Sequence, residues 1–241
     1  MAKILALAKS GFGKTTSIGK VEGLGIEGLD PEKTYIISCT SKPLSFPKSN
    51  SSYPITKYDG KPQSLTTGRR VITNNPKEIH QVLLTLVNSP IENIVWDDAN
   101  YVMQDWYMDN ALATGWDGPK KIGFFMGQIF KAVEALDKAG KTIFVLAHGE
   151  EVKNDMDNRI YMKMKTTGKM VDEYLTPEGK FDVVLIGISK FDSSEKKVEK
   201  HYLTNETEQY SSPKSPYGMF KNSHIPNDLG FVRRKVHEYY N

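Results

Sequence analysis

The sequence predicts an α/β protein in which a mainly parallel sheet is flanked by helices. The chief observation is that short, continuous apolar runs, typical of buried strands, alternate with stretches whose apolar residues recur at helical spacing. The composition agrees, because 39% hydrophobic and 25% charged residues are ordinary proportions for a globular protein. The chain shows no internal repeat and no clear linker, so we expect residues 1–241 to form one domain.

The first third of the chain predicts two strands, a helix and a long loop. Ile4–Ala8 predicts a buried strand, which a glycine-rich turn connects to a helix from about Lys14 to Val21. Thr34–Thr40 is β-branched and apolar and predicts a second strand. Residues 41–68 are rich in Ser, Pro, Lys, Thr and Gly without periodicity, which indicates a loop insertion. Loops of this length are often functional.

The middle of the chain continues the alternation of helices and strands. Glu78–Val87 and a stretch from about Lys120 to Lys138 each place their apolar residues on one helical face. Ile91–Trp96 predicts a buried strand that ends in two aspartates, and Thr142–Ala147 predicts one that ends at a histidine.

The last third predicts a C-terminal β-hairpin and helix. Arg159–Lys165 alternates apolar and polar residues, as a strand with one solvated face does. Phe181–Ile188 predicts a buried strand, and Val198–Leu203 is expected to pair with it across a polar turn. A final helix is expected from about Asn227 to Tyr240.

The strongest chemical signal is residues 8–16, AKSGFGKTT, between the first strand and the first predicted helix. Glycines let backbone N–H groups approach phosphates closely, and a helix start adds positive charge. In such a loop Lys14 reaches the β- and γ-phosphates of ATP, the Thr15 hydroxyl binds Mg²⁺, and Thr16 lies near the α-phosphate. The predicted nucleotide-binding residues are Gly11, Phe12, Gly13, Lys14, Thr15 and Thr16.

This motif departs from G-x-x-x-x-G-K-[ST] at its first position, which is Ala8. The site therefore requires a backbone position that tolerates a Cβ atom. A chance glycine-rich turn is the alternative interpretation.

Polar residues at the ends of two later strands complete the candidate site. An acid at a strand tip can hold the Mg²⁺ shell, and an adjacent acid can orient or deprotonate the attacking water. We assign these roles to Asp97 and Asp98, which directly follow an apolar run. His148 also ends a strand, and ligands of open α/β sheets bind at such ends, so it is a candidate sensor of the γ-phosphate. A locally satisfied histidine is the alternative.

The order of glycine loop, strand-Asp-Asp and strand-His resembles that of the RecA-like P-loop ATPases, and most closely the compact phage-encoded group linked to single-strand annealing and recombination. Lys214-Ser215-Pro216-Tyr217-Gly218 resembles their Lys-Asn-Arg-Phe-Gly element, and residues 225–229 resemble the next stretch of the phage-encoded group. The resemblance implies a RecA-like fold, ATP hydrolysis and assembly into a ring or filament. It makes Lys214 a candidate cation acting on the nucleotide of a neighbouring subunit, while the family's arginine is replaced by Pro216.

The resemblance also implies single-stranded DNA as a partner, contacted by the segment after His148. The basic residues there are Lys153, Arg159, Lys163, Lys165 and Lys169, with Tyr161 among them. Basic and aromatic residues together suit single-stranded nucleic acid. Glu150, Glu151, Asp155 and Asp157 dilute this charge, so an ordinary solvated strand face is the alternative.

Composition limits which partners and which cellular compartment we expect. The net charge of +3 does not by itself argue for nucleic acid, and no run approaches the ~20 apolar residues that span a bilayer. A single cysteine, Cys39, excludes an internal disulfide and is expected to be a buried apolar residue in a cytoplasmic protein, in the host cytoplasm if phage-encoded.

Three functions remain in view. The first is an ATPase that acts in phage DNA recombination or replication. The second is a nucleotide-gated, weakly hydrolysing or non-hydrolysing module that binds partner proteins, favoured by the missing arginine. The third is a small-molecule kinase, which the absence of an Arg-rich segment to cover the phosphates disfavours.

Overall fold

The computed structural model describes residues 1–112, 117–153, 158–167, 169–193 and 196–241. Within these ranges the strands are β1 (Ala2–Ala8), β2 (Thr34–Ser38), β3 (Arg70–Ile72), β4 (Asn93–Asp97), β5 (Thr142–Lys153), β6 (Ile160–Met164), β7 (Val183–Asp192), β8 (Lys197–Leu203) and β9 (His224–Pro226). These nine strands form one sheet in the order β3-β2-β4-β5-β1-β7-β8-β9, and β6 pairs with β5 outside this path. The first six strands of that order run parallel to one another, and β6, β8 and β9 are antiparallel to their neighbours.

Helices cover both faces of this sheet. They are α1 (Ser49–Ser52), α2 (Pro76–Leu86), α3 (Asn100–Asp109), α4 (Asp117–Lys138), α5 (Lys169–Tyr174) and α6 (Leu229–Tyr240). Leu5 and Leu7 of β1 belong to the hydrophobic cluster beneath α2 and α4, whereas Ile4 and Ala6 belong to the cluster beneath α6. Burial on both faces explains why the central strands are continuous apolar runs. The predicted mainly parallel α/β sheet, with its C-terminal hairpin and helix, is confirmed.

The register of the sheet brings three chain segments to one edge. Ala8, the last residue of β1, lies opposite His148 of β5, and Asp97 ends β4 on the other side of β5. Since parallel strands share a direction, the segments that follow β1 and β4 emerge on the same side as His148. This edge is where the candidate site must form.

The helix predicted from Lys14 to Val21 is wrong, because only a 3₁₀ turn, Thr15–Ile18, forms there. The next residue, Gly19, is extended, and a Cβ on it would lie 2.1 Å from the Phe46 ring. The Ile18 carbonyl accepts a hydrogen bond from the Leu29 N–H at 2.8 Å instead of continuing a helix. Packing against distant residues therefore ends the turn.

Other differences also arise from tertiary contacts. Strand β5 continues beyond the expected end at His148 to Lys153, because β6 pairs with the extension. The short strand β3 and the half-exposed helix α3 have no clear periodicity and were not predicted. The loop expected over residues 41–68 is mostly irregular but contains α1, a 3₁₀ turn at Pro62–Thr67 and buried side chains.

Two further expectations concern burial and membranes. Cys39 is buried as expected and accepts a hydrogen bond from Trp96 Nε1 at 3.1 Å. Among the described residues, no helix combines the length and apolar character that crossing a bilayer requires.

Candidate functional site

A cavity of about 280 Å³ lies at the carboxyl edge of the sheet. Eight of the ten residues proposed from sequence line it: Gly11, Gly13, Lys14, Thr15, Thr16, Asp97, Asp98 and His148. The other two, Phe12 and Lys214, do not. Lys42, Ser45, Tyr101 and Lys200 also line the cavity, and the sequence had not singled them out.

The glycine loop has a backbone that only glycine adopts readily. Gly11 and Gly13 have φ angles of +78° and +96°, which lie in the left-handed region. A Cβ at Gly13 would also lie 3.3 Å from Nδ2 of Asn227, which donates a hydrogen bond to the Gly13 carbonyl. The C-terminal segment thus helps to hold the loop in place.

Ala8, at the first motif position, is accommodated because the neighbouring strand β7 has a glycine, Gly187, beside it. A Cβ on Gly187 would lie 2.6 Å from the Ala8 Cβ and 2.7 Å from the Phe12 ring. Phe12 is itself buried and packs against Tyr202 with ring centroids 5.2 Å apart. Its side chain therefore anchors the loop to the sheet and does not line the cavity.

Lys14 is a buried cation at the floor of the cavity. Only 5% of it is exposed, and its Nζ donates to the carbonyls of Ala8 at 3.2 Å and Lys9 at 3.5 Å. Burial lowers its pKa, while the charges of Asp98 and Asp97 oppose that shift. No carboxylate among the described residues lies within ion-pair distance of it, so an anion in the cavity would be its natural partner.

Thr15 and Asp97 have the spacing of two ligands of one Mg²⁺ ion. The Thr15 hydroxyl lies 3.2 and 3.1 Å from the two Asp97 carboxylate oxygens. Neighbouring ligands at 2.0–2.1 Å in an octahedron are about 3.0 Å apart, so both oxygens fit the ion with little movement. Within the described ranges no cluster of three His, Cys, Asp or Glu side chains could hold a metal.

The environment of Asp97 makes its carboxyl harder to ionise than an ordinary aspartate. Burial raises its pKa to about 7, and the charge of Asp98 adds to the shift. The Thr15 hydrogen bond and the charges of Lys14 and Arg70 act in the opposite direction. A bound divalent cation would compensate the desolvated carboxylate.

Asp98 and His148 form a second polar pair at the rim. Asp98 has a φ of +60°, unusual outside glycine, and its Oδ1 lies 3.6 Å from His148 Nε2. Burial lowers the pKa of His148, and the charges of Lys14, Lys165 and Lys42 lower it further, against the effect of Asp98. The imidazole is therefore neutral near pH 7 and able to donate or accept a proton.

Asn100 positions this pair and was missed by sequence reasoning. Its side chain is fully buried, accepts a hydrogen bond from the His148 N–H, and donates to the carbonyls of His148 and Lys165. It thereby ties helix α3 to β5 and β6. The only signal was an asparagine two residues after Asp98.

Lys42 and Lys200 bring two further cations that only the fold reveals. Lys200 reaches from β8 and donates to the Gly11 carbonyl at 2.8 Å. Lys42 comes from the 41–68 segment and lines the cavity together with Asp98 and His148. Neither lies in a recognisable motif.

Lys214 lies away from the cavity of its own chain. Its backbone pairs with Val184 of β7 through hydrogen bonds of 2.8 and 3.0 Å, and Val184 lies opposite Leu5, three residues before the end of β1. The Lys214 side chain is exposed. Any role on nucleotide would require a second copy of the chain.

The basic segment after His148 is partly neutralised. Lys163 pairs with Asp172 at 2.8 Å, and Arg159 pairs with Glu206 at 2.8 Å. Tyr161 is 40% exposed. Asp155 and Asp157 lie outside the described residues, as does the side chain of Lys169.

Comparisons with known proteins add little to this geometry. No protein-family model and no curated protein sequence matches the chain. Solved structures do match, among them the KaiC-like protein PH0186 from the hyperthermophilic archaeon Pyrococcus horikoshii OT3. That match has a TM-score of 0.45 and 11% sequence identity, and it covers 84% of this chain and 77% of the other. The function must therefore be inferred from the residues of the cavity.

Proposed function

We propose that the chain binds Mg–ATP and hydrolyses it. The observation that carries this proposal is the Thr15–Asp97 pair, with the spacing of two Mg²⁺ ligands, beside a buried lysine without a carboxylate partner within the described ranges. The glycine loop joins these groups in one cavity. A triphosphate with its metal would satisfy both the buried lysine and the buried carboxylate.

Each residue of the loop has a defined role in binding. Lys14 exchanges the carbonyls of Ala8 and Lys9 for the β- and γ-phosphate oxygens. Thr15 and Asp97 would hold Mg²⁺, which would neutralise negative charge on the phosphates. Thr16 contacts the α-phosphate, and backbone N–H groups at Gly11 and Gly13 complete the cradle. The short 3₁₀ turn contributes little helix dipole, so the lysine and the loop amides dominate.

Asp98 and His148 supply the groups for hydrolysis. Asp98 accepts a proton from the attacking water while the bond between the γ-phosphorus and the bridging oxygen breaks. His148, neutral and 3.6 Å from Asp98, orients that carboxylate and responds to the terminal phosphate. Asn100 fixes the backbone of His148 during this step.

The biological setting that we propose is DNA recombination or replication in a phage. Support comes from the resemblance to phage-encoded RecA-like ATPases, including the Lys214 segment. On this proposal the protein assembles into a ring or filament in the cytoplasm, Lys214 faces the nucleotide of a neighbour, and single-stranded DNA contacts the strand face around Lys153 and Lys165.

A nucleotide-gated module that hydrolyses slowly is the second candidate. It is favoured by the cavity lining, which includes no arginine among the described residues. In such a module, binding of Mg–ATP would rearrange the loop and the 41–68 segment for a partner protein.

Phosphate release with and without single-stranded DNA separates the two. We expect Mg²⁺-dependent release that DNA stimulates, and we expect Asp98→Asn to abolish release while Mg–ATP still binds. Glu150→Gln, on the same edge but outside the cavity lining, is the matched control and should keep the wild-type rate. A low rate that neither DNA nor Asp98→Asn changes would favour the gated module.

A further inference from the structure

The 41–68 segment is anchored to the sheet at the edge of the cavity. Arg70, only 2% exposed, donates from Nη2 to the Lys42 carbonyl at 2.7 Å and from Nε to Ser38 Oγ at 2.8 Å. Ser38 ends β2 and lies opposite Asp97 in the sheet register. A buried guanidinium thus fixes the backbone of Lys42 relative to the predicted metal ligand.

The Lys42 side chain is a cation without a counterion in the described part of the chain. It is exposed at the cavity wall, and no carboxylate there lies within ion-pair distance of its Nζ. Its charge reaches His148, whose pKa it helps to lower. The Arg70 anchor places Lys42 beside the end of β2, where Ser38 lies opposite Asp97, so Lys42 joins the cavity wall on the side of Asp97 and Asp98.

This side corresponds to the terminal phosphate in the proposed binding mode. The nucleotide would run from Thr16 at the α-phosphate, past Lys14, to Asp98 and His148. Lys200 lies at the α-phosphate end of this path, because its ammonium contacts the Gly11 carbonyl and lies near Gly13 and Asn227. The two additional lysines thus bracket the triphosphate.

We propose that Lys42 contacts the terminal phosphate of ATP bound to its own chain and supplies the cation that the missing arginine would otherwise provide. This proposal rests on the function proposed above and names a catalytic residue for it. During hydrolysis the γ-phosphorus–oxygen bond to ADP breaks, a bond to water oxygen forms, and the water proton passes to Asp98. The lysine neutralises the negative charge that develops on the phosphate oxygens, as a compact point charge can.

The first test compares Mg–ATP and Mg–ADP affinities by calorimetric titration. Lys42→Ala should weaken ATP binding about tenfold or more and leave ADP binding unchanged, because only ATP has the terminal phosphate. Lys42→Arg should restore most of the preference for ATP. Lys57→Ala is the matched control, since Lys57 is exposed in the same segment but does not line the cavity.

The second test asks whether the cation acts within one chain. Phosphate release by Lys42→Ala should fall roughly a hundredfold or more, as for loss of one charge-stabilising group. Mixing Lys42→Ala with Lys14→Ala protein should not restore activity, because the only chain that binds ATP then lacks its own Lys42. Restored activity in the mixture would overturn action within one chain.

The two proposals fail in different ways. If the wild-type protein binds no nucleotide, the proposed function fails and this inference fails with it. If the wild type binds Mg–ATP but Lys42→Ala binds ATP and ADP with wild-type affinities, only the Lys42 inference is overturned. The affinity comparison decides this even if the wild type hydrolyses ATP slowly.

Discussion

At the scale of single residues, the cavity contains charged groups whose burial disfavours their charged forms. Lys14 is held by main-chain carbonyls, and Asp97 is desolvated beside Asp98. Such arrangements cost free energy in the empty protein and are repaid by a ligand of the complementary charge. A bound metal and a bound anion, as we propose, would offset the costs at Asp97 and at Lys14 together.

Asp97 should make the empty protein less stable at higher pH. Its pKa of about 7 lies above that of an unfolded aspartate, so the folded state binds more protons and stability falls as pH rises from about 4 to 7. Asp97→Asn removes this cost and should raise the melting temperature near pH 8 by at least ~2–4 °C, the shift expected per kcal/mol at this chain length.

This prediction is checked by thermal melts without nucleotide or metal. The gain from Asp97→Asn should be clearly smaller near pH 5, where the wild-type carboxyl is largely protonated in the folded state. Asp105→Asn, a substitution of the same kind outside the cavity lining, serves as the matched control. An Asp97→Asn protein that melts at or below the wild type near pH 8 would contradict the account.

At the scale of elements, contacts between residues far apart in sequence determine where some elements end and which side chains reach the cavity. The local sequence pattern does not record those contacts. The central strands β1, β4, β5 and β7 could be predicted because burial on both faces makes them apolar runs. The sequence alone could not show that the predicted helix after the glycine loop is only a short turn. The end of that turn is set by a contact between Gly19 and Phe46, which lie 27 positions apart in the numbering. Lys42 and Lys200 reach the cavity through Arg70 and β8, and no motif records those contacts.

Gly19 should therefore tolerate no side chain. Gly19→Ala would place a Cβ 2.1 Å from Phe46, forcing the 41–68 segment away from the loop, and should destabilise the protein by about 1–3 kcal/mol. Gly23→Ala, in the same glycine-rich stretch, meets no atom within 4 Å and is the matched control. Urea denaturation measures both, and equal stability of the two variants would show that this contact does not end the turn.

At the scale of the whole molecule, charge is distributed more evenly than the basic segment suggests. The net charge is only +3, and the ion pairs of Lys163 and Arg159 remove two cations from the proposed DNA face. Among the described side chains named for that face, this leaves Lys153 and Lys165 as its main cations. If single-stranded DNA binds this surface as we propose, the electrostatic contribution to its affinity should be small.

The salt dependence of DNA binding tests this estimate. If two lysines neutralise phosphates, the logarithm of affinity should fall with the logarithm of salt concentration with a slope of about −1.4, and Lys153→Ala should reduce the slope by about 0.7. Fluorescence anisotropy of a labelled oligonucleotide with Mg–ATP present provides the measurement. A flat response would assign the segment to ordinary sheet surface.

The central claim, that the cavity at the end of β1 binds Mg–ATP, is tested most directly by calorimetric titration of Lys14→Ala. We expect wild-type protein and Lys9→Ala to bind Mg–ATP equally, because Lys9 pairs with Glu151 at 3.0 Å outside the cavity lining. Folded Lys14→Ala protein should lose ~100-fold or more in affinity, as expected for removal of a buried charge-assisted contact. Micromolar affinity retained by folded Lys14→Ala would contradict the account.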